Sequence, residues 1–351
     1  MNSPFTPART SPNLRPTTDQ RPASGHAVRG YATVLALYAL AGGPHLVGAV
    51  LAAVQLHGGT VPAGALRAEE VGRLTGLAGA AIWLLWLILT RPRPAGVRLP
   101  WPRVVVLVGA LTVIAADEAG EFAADRSSTQ VAGHLAELVI WVWLCVAAAA
   151  RCGVTLQQLK PPALKRLFSK HTKAERAKGE LVFYAHAAVL CTAVWLMSVL
   201  KRLPGPDLEG DQATAAGVPD LGPHLVHGIW SATVEELLAT ALVVAILTAV
   251  RRPLWECLAV AALMRALPHA YLGLLPMLAT LLPGITAGWL YHRYRRVIPL
   301  VLAHAAYNTL SILFGVPLLP MTVLLLLSAF WAWIATKTAS PRAVSRATSV
   351  D

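Results

Sequence analysis

The sequence predicts an all-α, polytopic transmembrane helical bundle of about ten spans, with both termini in the cytoplasm. Three observations carry that expectation. First, 56% of the 351 residues are apolar and only 14% are charged, whereas soluble domains carry about a quarter charged residues. Second, apolar runs long enough to cross a hydrocarbon layer of about 30 Å recur along the chain. One is VGRLTGLAGAAIWLLWLILT at Val71–Thr90, and another is VAGHLAELVIWVWLCVAAAA at Val131–Ala150. Third, with the amino terminus placed inside, the alternating inner segments hold 24 of the 30 Lys and Arg, and the outer segments hold five. The remaining one, Arg265, is left inside a span. That alternation is what the positive-inside rule requires, and a miscounted span would scramble it.

The elements follow in order. Residues 1–27, rich in Pro, Ser, Thr and Arg without apolar periodicity, read as a disordered tail. The apolar run from Tyr31 to about Gln55 outlasts the h-region of a signal peptide, so it reads as a retained first span. Further spans are expected at 71–90, 103–117, 131–150 and 181–200, completing an amino-terminal membrane region over 28–200 with five spans. Residues 201–224 form an extracytoplasmic loop. A carboxyl-terminal core over 225–336 then supplies five more spans, at 225–250, 254–274, 276–292, 297–313 and 316–336, before a cytoplasmic tail at 337–351. The eighth and ninth are short for full crossings, and Pro276, Pro283 and Pro299 mark where they break or kink. Within the 151–178 loop and its continuation, LKRLFSKHTKAERAKGE interleaves apolar and basic residues. It suits either an amphipathic helix on the inner membrane surface or a solvated basic loop.

The formal charge of +12 sits between spans, where it orients helices and meets anionic lipid. The partners are therefore the lipid bilayer and membrane-associated peptide or protein, and nucleic acid is excluded. The setting is an integral, multi-pass position in a bacterial plasma membrane. The four cysteines, Cys145, Cys152, Cys191 and Cys257, form no CxxC pair and read as small residues packed within spans.

Ionisable groups at membrane depth are costly, so they mark where function resides. Span six carries adjacent Glu235 and Glu236. Span seven carries Arg265 and His269, four apart and hence on one helix face. Span nine carries His304 and Asn308 with the same spacing. These groups require mutual partners in the bundle interior. Chemically they suit hydrolysis. A desolvated glutamate can act as general base on water. The imidazoles of His269 and His304 can hold that water, bind a zinc or other divalent ion, or face an oxyanion. Adjacent glutamates project about 100° apart on an α-helix, so one is expected to act while the other orients.

The order EE, His, HxxxN resembles the CPBP intramembrane proteases, also called the CAAX-protease or Abi family and related to the type II CAAX prenyl endopeptidases. The resemblance covers residues 225–313. Of the family's EExxxR motif, Glu235 and Glu236 are present, with Thr240 where the arginine belongs. Of FxxxH, His269 is present, with Arg265 in the aromatic position. HxxxN is complete in His304 and Asn308. The resemblance implies an intramembrane endopeptidase. Glu235 activates water, Glu236 and His269 assist, and His304 with Asn308 completes the site and stabilises the oxyanion. Arg265 is expected to supply in space the cation that Thr240 lacks.

A second polar set comprises Asp117, Glu118, Glu121 and Asp125 at the end of span three, with His134 and Glu137 in span four. An HxxE pair can hold a divalent metal, so an ion- or metal-coupled transporter is the competing class, and a catalytically inactive scaffold is a third. His45 and His186 read as satisfied packing histidines. Glu256 lies at the inner end of span seven, within reach of water. His224 and His227 flank the outer mouth of span six.

Overall fold

The computed structural model describes residues 24–56, 59–90, 101–120, 126–154, 173–200, 221–314 and 318–338. The tail before residue 24, most of the 151–178 and 201–224 loops, Glu121, Asp125 and the final tail lie outside these residues. So does the side chain of His45.

Every regular element among the described residues is helical. Helix α1 spans Ser24–Leu56, α2 Ala63–Leu89, α3 Trp101–Gly120, α4 Arg126–Arg151 and α5 Lys173–Leu200. Helix α6 runs Leu221–Ala249, with a π-helical segment at Glu235–Leu242. Helix α7 spans Leu254–Ala266 and tightens into a 3-10 turn at Leu267–Leu272. Then come α8 Leu274–Ala279, α9 Leu281–Tyr294, α10 Ile298–Phe314 and α11 Leu318–Thr338.

Helix α1 begins at Ser24, several residues before the expected span, and passes through Pro44 unbroken. The expected seventh and eighth spans depart most from regular helix. Pro268 opens the 3-10 turn, and Gly273, at φ 93°, adopts a conformation that a side chain would oppose. The chain restarts as α8 and again as α9 after Thr280, so 276–292 is two helices rather than one. Pro299 sits in the first turn of α10, where its missing N–H removes no helical bond.

Among the described residues, five helical stretches are long and apolar enough to cross a bilayer: Val71–Leu89, Gln130–Arg151, Glu175–Leu200, Leu221–Ala249 and Leu318–Thr338. Ile298–Phe314 is a shorter apolar helix. Their outward faces are clad in Leu, Val and Trp, as at Leu324, Trp331, Trp86 and Val139, which is the surface lipid demands. The chain is an integral, multi-pass membrane protein. Helix α6 lies at the centre, with Leu237 through Leu247 almost wholly buried, and α1, α4, α7, α9 and α10 pack around it. The four cysteines are free thiols.

Candidate active site

Apart from tyrosines and cysteines, seven polar or charged side chains are buried among the described residues: Glu137, His186, Glu236, Thr240, Arg265, Thr280 and His304. Four of them (His186, Glu236, Arg265 and His304) converge on one point beside α6. In lipid such groups have only each other to satisfy them.

The local backbone explains how adjacent glutamates serve one site. Residues 235–242 are π-helical, a wider turn with i→i+5 bonding that recurs at functional positions. The wider turn reduces the angle between successive side chains below the α-helical value of about 100°. Both carboxylates therefore face the same guanidinium. Arg265 Nη1 donates to Glu236 Oε1 at 2.5 Å, and its Nη2 lies 3.4 Å from Glu235 Oε2. The position four residues after Glu236, where the motif arginine belongs, holds Thr240, and the cation arrives instead from α7. Close packing sets it there. A Cβ on Gly284 of α9 would lie 2.7 Å from Ala262 Cα and 3.4 Å from Arg265 Cβ, so only a glycine lets α9 press α7 against α6.

The two acids differ in surroundings. Glu236 is sealed, and its Oε1 accepts from three donors: Arg265 Nη1, His186 Nε2 at 2.9 Å and His304 Nδ1 at 3.0 Å. Because an ionised carboxylate only accepts, both imidazole nitrogens are assigned as N–H. Glu236 Oε2 and His186 Nδ1 have no hydrogen-bond partner among the described residues. Glu235 is 22% exposed where Glu236 is fully buried, and its Oε1 accepts from Ser231 Oγ at 2.8 Å, one turn above. The accessible acid is the one suited to meet water.

The remaining expected residues are placed as follows. His269, on the 3-10 turn, donates Nδ1–H to Arg265 O at 2.9 Å, which makes Nε2 its accepting nitrogen. Asn308 Nδ2 donates to Gly228 O at 2.9 Å, tying α10 to α6 beside the site. One of its two amide hydrogens is thus committed. His186, expected to be a packing histidine, is instead a direct partner of Glu236 through α5. Its signal in the sequence was the one that singled out the other residues, an imidazole at membrane depth, but no motif surrounds it.

A metal fits this geometry poorly. The histidine and carboxylate atoms of His186, Glu236 and His304 all lie within 4.8 Å of one another, a suitable donor set by type. His269, the other imidazole expected to bind, is not in that set. However, Arg265 already faces two of the three groups, with Nη2 3.3 Å from His304 Nδ1 as well as Nη1 on Glu236. A permanent guanidinium charge stands where a divalent ion would need to come.

With this geometry in view, the comparisons are specific. Residues 219–310 match the family described as Type II CAAX prenyl endopeptidase Rce1-like. This segment belongs to the CAAX-protease family. No curated protein and no solved structure gives a significant match to the chain. The matched segment contains Glu235, Glu236, Arg265, His269, His304 and Asn308 but not His186, so this CAAX-protease segment is completed by a helix outside it.

The second polar set is a separate structure. Arg73 of α2 pairs with Glu118 of α3 and, at 2.6 Å, with Glu137 of α4. His134 donates Nδ1–H to Gln130 O at 2.8 Å and meets the ring of His227 through Nε2 at 3.4 Å. His227 in turn stacks on Trp230. The HxxE pair is therefore divided, its acid turned to an arginine and its imidazole to another imidazole. Glu256 pairs with Arg252 one turn away.

Proposed function

We propose that this protein is an intramembrane endopeptidase that hydrolyses a peptide bond of a membrane-embedded or lipid-proximal substrate with water activated by Glu235. The observation that carries the reading is the convergence of Glu235, Glu236, Arg265 and His304 at one buried point within a segment matched to a peptidase family. Glu235, the acid with access, takes a proton from water as the oxygen attacks the carbonyl carbon. It then returns that proton to the departing amide nitrogen. Glu236 stays ionised and holds Arg265, His186 and His304 in register. His269 accepts a hydrogen bond from water or substrate through Nε2. The uncommitted amide hydrogen of Asn308 donates to the tetrahedral oxyanion. Arg265 supplies the positive charge that keeps two adjacent carboxylates tolerable in lipid, and no step requires a metal.

Around this site we place ten crossings with both termini cytoplasmic, on the charge alternation. The amino-terminal acids support a structural rather than a transport role, because Arg73 holds Glu118 and Glu137 in ion pairs. The test is proteoliposomes carrying single-span peptides, with fragments identified by mass spectrometry. Discrete cleavage that disappears in Glu235→Gln supports the reading. Ion uptake without cleavage would replace it with the transporter, and neither activity would leave the scaffold.

A further inference from the structure

The donors available to an oxyanion within the matched segment are few. His304 commits Nδ1–H to Glu236, His269 commits Nδ1–H to a backbone carbonyl, and Asn308 commits one hydrogen to Gly228. Another hydroxyl reaches the same region from outside that segment. Helix α1 packs both against the π-helical segment that carries Glu235 and against the 3-10 turn that carries His269. Gly30, near the start of α1, lies against Val250 and Ile246 at the end of α6. The long remainder of α1 follows it while α1 also packs on the earlier π-helical segment, so the two helices run antiparallel. Two turns further along α1, at about 3.6 residues per turn, that register brings Tyr38 level with the π-helical segment.

The ring of Tyr38 is directed along α1. A Cβ on Gly42 would stand 3.2 Å from Tyr38 Cζ, so the phenol lies over the glycine, with its hydroxyl carried further along α1. The residue is 8% exposed, and its hydroxyl is buried without a hydrogen-bond partner among the described residues. A buried hydroxyl with no partner costs folding stability, and such a group calls for an explanation in function.

We propose that Tyr38 is a catalytic residue of the peptidase site, donating its phenolic O–H to the oxyanion formed when water adds to the scissile carbonyl. The inference rests on the endopeptidase reading. It makes α1 part of the active site and gives the amino-terminal region a chemical role as well as a packing one. No bond to Tyr38 forms or breaks; the phenol keeps its proton and its hydrogen bond strengthens as charge collects on the carbonyl oxygen.

Tyr38→Phe separates this role from a structural one, because the two predict opposite signs. Removing an unpartnered buried hydroxyl leaves the shape intact and leaves thermal unfolding in detergent unchanged or shifted upward. Removing an oxyanion donor lowers kcat by about 10²–10³-fold, with KM for a membrane peptide nearly unchanged. Wild type, Tyr38→Phe and Glu235→Gln are compared in the same proteoliposomes. Slow cleavage by a Tyr38→Phe protein that is at least as stable as wild type supports the assignment. Wild-type kcat in Tyr38→Phe, with Glu235→Gln inactive, overturns it and leaves the peptidase reading standing. Slow cleavage together with a lowered unfolding temperature or a proportionate rise in KM also overturns it, as a packing effect. Absence of cleavage by the wild type overturns both.

Discussion

Replacing Arg265 with methionine removes the guanidinium that faces both Glu235 and Glu236 and keeps most of the side-chain volume. Arg265 is 3% exposed and Glu236 fully buried, with 2.5 Å between Nη1 and Oε1; Glu235 Oε2 adds a second contact at 3.4 Å. Two unit charges about 4 Å apart interact by about 4 kcal/mol at an effective dielectric of about 20. Removing one partner of a buried pair costs about 3–5 kcal/mol, because the other charge is left uncompensated. The partial access of Glu235 lets water screen its share, so the Glu236 contact dominates. We expect Arg265→Met to lose about 3–5 kcal/mol, a change of about 10²–10³-fold or more in the unfolding equilibrium. The assay is denaturant unfolding of the protein in mixed micelles. The double variant Arg265→Met/Glu236→Gln, which removes the stranded charge, should recover a substantial part of that loss. Peptide cleavage should fall in Arg265→Met as completely as in Glu235→Ala. An Arg265→Met protein as stable as wild type, or a double variant no better than the single one, would refute the reasoning.

Three further outcomes follow from the same geometry. His186→Leu removes a hydrogen bond to a buried charge and should cost about 1.5–3 kcal/mol, measured by the same unfolding assay, with cleavage reduced although α5 lies outside the matched segment. Gly284→Val places side-chain atoms against Ala262 and Arg265, so overpacking should cost about 1–3 kcal/mol, and cleavage assays should show a displaced Arg265 as a loss of kcat. Dialysis against a strong divalent-metal chelator should leave the cleavage rate unchanged, because a guanidinium stands against both Glu236 and His304; inactivation reversed by added zinc would contradict that.

Much of the architecture was legible because hydropathy and charge act over whole spans. The helices at 126–151, 173–200 and 221–249 lie where apolar runs of that length place them. The breaks around Leu267–Thr280 were signalled only by Pro276 and the shortness of the eighth and ninth spans. Whether a proline bends a helix or ends it depends on what packs against it, and sequence does not show that. The candidate site was legible through polar residues expected at membrane depth, namely Glu235, Glu236, Arg265, His269, His304 and Asn308. His186 belongs with them in space but was read as packing, because a lone imidazole looks the same whether its neighbour is leucine or glutamate. The π-helical segment left no mark in the sequence either. Its effect is to turn Glu235 and Glu236 to one guanidinium, where regular α-helix spacing predicts divergence. In the amino-terminal half, His134 and Glu137 had metal-binding spacing, but Arg73 claims the acid from another helix.

The most direct test of the account is hydrolysis of one membrane-spanning peptide in ¹⁸O-labelled water by wild type and Glu235→Gln reconstituted side by side. The account predicts that wild type releases two fragments with label in the new carboxyl group. Glu235→Gln, folded and equally inserted, should release essentially none. Cleavage at an undiminished rate in Glu235→Gln would contradict it.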